Sequence, residues 1–313
     1  MRISRERILL LVLLAAVIAV WWAAWGEVSD ELTITVLDVG QGDCILVQAP
    51  GGRTMLVDGG GWQGRQTEYD VGREVVTPAL LARAVSRIDV LVITHPHEDH
   101  VGGLPAVVEA VPVGMVLDPM LESDSESYKQ LKELVEERKI PMHRAAEGQH
   151  INLGRGIYAQ VLSPPDPRLE GTGAELNDNS VVLRIVYGDE SVLLAGDVER
   201  AGARRLAGMG AAIRSTVLKV PHHGSSGPAV PTLIQAVSPK LAVISVGEEN
   251  TFGHPSDEML RELDHVEAKI MRTDMDGAVT VKIEPPRWWA RGMSPRGRSH
   301  RLSGAVAAAG ASE

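Results

Sequence analysis

One cysteine, one phenylalanine, four tyrosines and an aromatic share of 4% leave this 313-residue chain short of what disulfide-stapled or aromatic-rich folds require. A single thiol closes no internal disulfide. Cys44, in the apolar run Cys44-Ile45-Leu46-Val47, reads as a small buried hydrophobe without a chemical role. Positive charge is also scarce, with 31 Lys and Arg against 41 Asp and Glu for a net charge of −10. Eight of the bases but only three of the acids lie near the two ends, so the middle is relatively more acidic and should repel polyanions unless cations or a local basic patch intervene. No internal repeat is visible, and a hydrophobic share of 44% excludes disorder throughout.

Long apolar runs are absent except at the start. Arg2, Arg5 and Arg7 precede an uncharged stretch from Ile8 to Trp25, and acidic Glu27, Asp30 and Glu31 follow it. Length, the flanking charges and the tryptophans at 21, 22 and 25 predict a transmembrane signal anchor over residues 1–26. On that reading the protein is single-pass in the cell membrane with its domain extracytoplasmic. The competing reading is secretion after signal cleavage, for which Ala24-Trp25-Gly26 is a poor site.

From Leu32 to Ile283 ten β-rich runs recur, beginning at LTITVLDV and ending at AVTVKI. Pro50-Gly51-Gly52 and Tyr187-Gly188-Asp189-Glu190 each join two of them as a hairpin. Tyr128, Leu131, Leu134 and Val135 share one face of a helix, as do Met259, Leu260, Leu263 and Val266. Hairpins in both halves with interspersed helices predict an α+β domain over 27–283, two sheets packed together with helices outside. Residues 284–313, rich in Arg, Gly, Ser and Ala, read as a flexible basic tail.

Chemistry concentrates in Thr94-His95-Pro96-His97-Glu98-Asp99-His100, directly after the apolar run IDVLVIT. Four ligand-capable side chains within six residues at a strand-to-loop junction suit one or two divalent metals, His95 and His97 toward one and Asp99 and His100 toward a second. Asp197 ends another apolar strand and reads as an anionic bridge between them. Pro221-His222-His223-Gly224 follows TVLKV, and Gly253-His254-Pro255 follows LAVISVG in the same way; which of His222 and His223 is the ligand stays open. Asp58, ending TMLVD, is placed among the catalytic residues with Asp99, as a carboxylate that orients a ligating imidazole. Ser225, Ser226 and Asn250 are weaker candidates for substrate contact.

The HxHxDH pattern of His95, His97, Asp99 and His100 resembles the metallo-β-lactamase superfamily. More narrowly, Leu37-Asp38-Val39-Gly40-Gln41-Gly42-Asp43, Leu56-Val57-Asp58-Gly59-Gly60, Gly196-Asp197, Lys219-Val220-Pro221-His222-His223-Gly224-Ser225 and Gly253-His254-Pro255 look like the C-terminal domain of ComEC-type competence proteins. The resemblance implies an αββα four-layer sandwich with its metals at one edge between the sheets. It also implies a hydrolase acting on DNA. The channel and small β-barrel of those proteins have no counterpart here. The histidine that many superfamily members carry shortly before the bridging Asp is replaced by Asn177-Asp178-Asn179-Ser180. By analogy with a related branch, His223 or His222 would join His95 and His97 on one metal, His254 would join Asp99 and His100 on the other, and Asp197 would touch both.

The expected activity is therefore dinuclear, with zinc or manganese generating a bridging hydroxide for phosphodiester cleavage. Hydrolysis of a cell-envelope ester, thioester or β-lactam is the alternative chemistry, and a non-catalytic binding module the alternative class. Beyond the membrane and a DNA or phosphodiester substrate, no obligate protein partner is evident.

Overall fold

Burial alternates with a period of two along Ile157–Ser163 and Ala278–Glu284, whereas Glu190–Leu194 and Leu241–Ile244 are buried at every position. The first kind of strand has one covered face and the second kind two, so helices must lie outside part of each sheet. In a computed structural model, which describes residues 12–17, 30–61, 69–227, 229–248, 250–293 and 301–305, this is what the chain builds.

The first sheet holds β1 (Leu32–Val36), β2 (Ile45–Gln48), β3 (Thr54–Val57), β4 (Val90–Val92), β5 (Val116–Asp118) and β6 (Met142–Arg144). The second holds β7 (His150–Gly154), β8 (Ile157–Ser163), β9 (Val182–Tyr187), β10 (Glu190–Leu194), β11 (Val217–Lys219), β12 (Leu241–Ile244) and β13 (Lys269–Arg272). The chain then returns to the first sheet with β14 (Ala278–Glu284), β15 (Arg287–Met293) and β16 (Arg301–Ala305). Strand orders are β16-β15-β14-β1-β2-β3-β4-β5-β6 and β13-β12-β11-β10-β9-β8-β7. Each sheet is antiparallel over one part and parallel over the other, from β3 to β6 and from β10 to β13.

Parallel neighbours need crossovers, and helices supply several of them. Leu104–Ala110 and Glu126–Glu137 cover the first sheet, and Arg200–Ala207, Val230–Val237 and Asp257–His265 the second. Ser125 and Ser256 cap the starts of two of these, accepting from Tyr128 N and Met259 N. Three apolar clusters separate the layers. Ile34, Val47 and Val92 meet Leu183, Val192 and Val243 between the sheets. Leu46 and Leu91 meet Val107 and Leu131 on one outer side, and Leu193 and Leu218 meet Leu206 and Leu233 on the other. The order is helices, sheet, sheet, helices. Both hairpins form, and Cys44 is buried within the second of these clusters.

Two expectations are corrected. Among the described residues no helix is long and apolar enough to cross a membrane. Residues 12–17 are helical, and the rest of the stretch expected to span lies outside the described residues. The single-pass membrane placement and the extracytoplasmic orientation built on it are therefore not supported. Second, part of the expected flexible tail is sheet: β15 pairs with β14 from Glu284↔Arg287 to Ala278↔Met293. Trp288 and Ala290 point inward while Arg287 and Arg291 point out, so the arginines that suggest a tail are one face of a strand.

Candidate metal centre

The chemistry-bearing residues share a position: each follows the C-terminal end of a strand in a parallel part of its sheet. Asp58 follows β3, His95 follows β4, Asp197 follows β10, His223 follows β11 and His254 follows β12. Five segments separated in sequence thereby reach one edge of the sandwich.

After β4 the chain is extended through His97, which opens the short helix Glu98–Val101. That turn sends Asp99 and His100 inward, while Glu98 faces out and accepts from Ser125 Oγ (2.6 Å) and Ser127 N (3.3 Å). His95 Nε2 and His97 Nδ1 lie 2.9 Å apart, and the rings of His95 and His100 are 4.2 Å apart. Burial, with the neighbouring His100, holds the His95 imidazole well below its usual pKa, and burial lowers that of His97.

Beside this pair, Asp99, His100, Asp197 and His223 each offer a ligand atom, all within 4.8 Å of one another and all buried. His100 Nε2 is 3.2 Å from Asp197 Oδ2, and His223 Nε2 is 3.4 Å from Oδ2 of both Asp99 and Asp197. Burial opposes charge on His100 and His223, yet the carboxylates override it and push both pKa values well above the usual range, Asp197 foremost. Asp197 is held well below its usual range against burial by His100 and His223.

Asp58 is fully buried behind this cluster. Its carboxylate accepts from Thr94 N (2.8 Å) and Thr94 Oγ1 (2.6 Å) and meets His100 Nδ1 at 2.7 Å, fixing the ring so that Nε2 faces inward. Gly42 makes a close approach possible, since a Cβ there would stand 2.1 Å from the Asp99 carbonyl oxygen.

Asp43 and Lys219 are the residues that sequence reading missed. Lys219 Nζ, 1% exposed, donates to Asp43 Oδ2 at 2.6 Å and to Val220 O at 2.9 Å. Asp43 Oδ1 faces His223 Nδ1 at 3.5 Å, and that nitrogen also lies 3.1 Å from Ser245 O. The buried lysine, rare unless paired, was the available signal. Asp178, in the segment standing where a histidine is absent, accepts from Glu199 N and Gly202 N and so caps Arg200–Ala207, a role Asp197 leaves free.

Of His222 and His223, it is His223 that the fold brings into the cluster. Both adopt left-handed backbone, φ 47° and 53°, and the double turn sends His223 into the cluster and His222 to its rim, where Nδ1 is 3.5 Å from Glu199 Oε1. Neighbouring carboxylates thus draw His223 toward Asp99, His100 and Asp197 rather than toward His95 and His97. His254 stands further out with its ring 5.8 Å from that of His222. Burial and the nearby His222 and His223 hold its pKa at about 4. Ser225 and Ser226 line a cavity of about 250 Å³ with Glu199, Arg200 and His222. Asn250 is committed elsewhere: its amide donates to Gly247 O and His254 O and accepts from His254 N, which pins the loop instead of facing a substrate.

Asp197 Oδ1, His223 Nε2 and His254 Nδ1 are buried without a hydrogen-bond partner. Unpaired buried polar atoms are costly, and oxygen and imidazole donors converging in this way fit divalent cations.

The fold and this edge define the class: residues 37–248 match the model of the metallo-beta-lactamase superfamily, and the chain belongs to that family. Among curated relatives, it is 31% identical to ComE operon protein 3 of Bacillus subtilis over 82% of this chain and 34% of that protein. It is also 31% identical to competence protein ComA of Neisseria gonorrhoeae, over 80% of this chain and 32% of that one. The chain thus spans about a third of the length of these relatives. The solved structure of CmlA, a diiron beta-hydroxylase from Streptomyces venezuelae, shares the fold with a TM-score of 0.51 at 16% identity, covering 81% of this chain and 54% of that one.

Proposed function

We propose that the protein is a two-metal phosphodiesterase whose substrate is nucleic acid, DNA first of all. The observation that carries this reading is the buried convergence of Asp99, His100, Asp197 and His223 beside the facing His95–His97 pair. His95 and His97 would hold one cation, Asp99, His100 and His223 the other, and Asp197 would reach both. Zinc or manganese bound there would supply an activated water and neutralise charge on the phosphodiester. Asp58 keeps the His100 ring turned inward, and Asp43 and Ser245 do the same for His223. Relatedness to competence proteins supports DNA over other phosphodiesters.

The test is cleavage of single- and double-stranded DNA by the full chain with manganese or zinc, beside an Asp99→Ala/His100→Ala double variant. Cleavage abolished in the variant is expected. Two bound metals with no cleavage of DNA, RNA or small phosphodiesters would sink the reading.

A further inference from the structure

Phe252 is the chain's single phenylalanine, and it is 54% exposed rather than in the core. Its ring lies on that of His254, centroids 5.8 Å apart and planes only 25° from parallel. From there rings lead inward step by step: His254 to His222 at 5.8 Å, His222 to His223 at 6.1 Å, and His223 to His100 at 5.5 Å. The loop bearing Phe252 is pinned by the three hydrogen bonds between Asn250 and Gly247 and His254, so the exposed face is held in place.

The cavity that His222 lines is also lined by Arg200, exposed and without a carboxylate partner among the described residues. An aromatic face, an exposed guanidinium and a cation-binding edge, linked through His222, are what a base, a flanking phosphate and a scissile phosphate would need. The chain's excess of acid adds a reason. With net charge −10, electrostatic tracking of a polyanion backbone is weak, so a larger share of the grip falls to stacking on the base.

We propose that Phe252 is a base-stacking platform, so that the site prefers a base-bearing phosphodiester with an unpaired base beside the cleaved bond, Arg200 contacting the neighbouring phosphate. This rests on the phosphodiesterase reading above. A paired base inside a duplex presents no free face to the ring, so the platform favours single-stranded substrate.

Binding of a cleavage-resistant phosphorothioate oligothymidylate, and of the same backbone made abasic, would be measured at equilibrium on the full-length wild type, Phe252→Ala and Phe252→Trp. The wild-type advantage of base-bearing over abasic oligomer is expected to fall about tenfold in Phe252→Ala and to return in Phe252→Trp. A merely structural ring would move both oligomers together. Equal affinity of wild type and Phe252→Ala for oligothymidylate overturns the stacking role, whether or not DNA cleavage is lost in the Asp99/His100 double variant. If no protein binds either oligomer while bis(p-nitrophenyl) phosphate is still hydrolysed, the nucleic-acid ligand is overturned and a small phosphodiester remains.

Discussion

Asp58 acts on the site from behind it. Its two oxygens are consumed by Thr94 and by His100 Nδ1, which leaves no lone pair directed at a substrate but fixes the direction of the His100 ring. Replacing it with alanine should lower metal affinity about 10- to 100-fold while leaving the fold intact, as read by competition with a chromophoric chelator. An unchanged affinity would show that the helix Glu98–Val101 alone orients the ring. A carboxylate that orients an imidazole was legible in the sequence as an expectation, and the fold brings Asp58 to His100 Nδ1. The selection of His223 over His222 was not, since two adjacent identical side chains differ only by backbone angles that no local pattern encodes.

At the scale of elements, the ends of β3, β4, β10, β11 and β12 bring the site together, and the pair of Asp43 with Lys219 ties the first sheet to the second across 176 residues. Long strands with apolar runs could be read directly. β6, β7 and β13 are mostly exposed or half-exposed and so escaped, whereas β4 and β11, fully buried, were read despite having three residues each; the Asp43–Lys219 contact escaped because its partners are in unrelated segments. Asp43 is held at about 2, Lys219 outweighing the burial that would raise it. A carboxylate depressed on folding stabilises above its unfolded pKa near 3.9, and that contribution disappears as pH falls through about 2. Asp43→Asn, which leaves a buried ammonium without its counter-charge, should cost about 3–5 kcal/mol at pH 7. The gap from wild type, measured by urea unfolding of metal-free protein, should narrow steadily below pH 4. A gap independent of pH would assign the cost to packing instead.

Across the whole molecule, the domain extends past residue 283 because β15 adds to the first sheet. Trp288 is 2% exposed, and its ring fills the space where a Cβ on Gly304 would stand 2.7 Å away. Trp288→Ala should therefore destabilise by about 3–5 kcal/mol in chemical denaturation, where a tail residue would change nothing measurable. The α+β layering was legible from runs and hairpins. The extent was not, because arginines on the outward face of β15 imitate the composition of an unstructured segment.

β1 lies between β2 and β14, and Thr35 meets Thr280 across 245 residues. A ribosome delivers β2 to β1 almost at once but β14 only after the entire second sheet, a delay of roughly 10–50 s at ordinary translation speeds. For that interval one side of β1 presents unpaired backbone groups in the middle of what will be a buried sheet, open to the matching edge of another nascent chain. Yield on expression should then depend on how quickly residues 278–284 follow, a kinetic liability written into the strand order rather than into any single side chain.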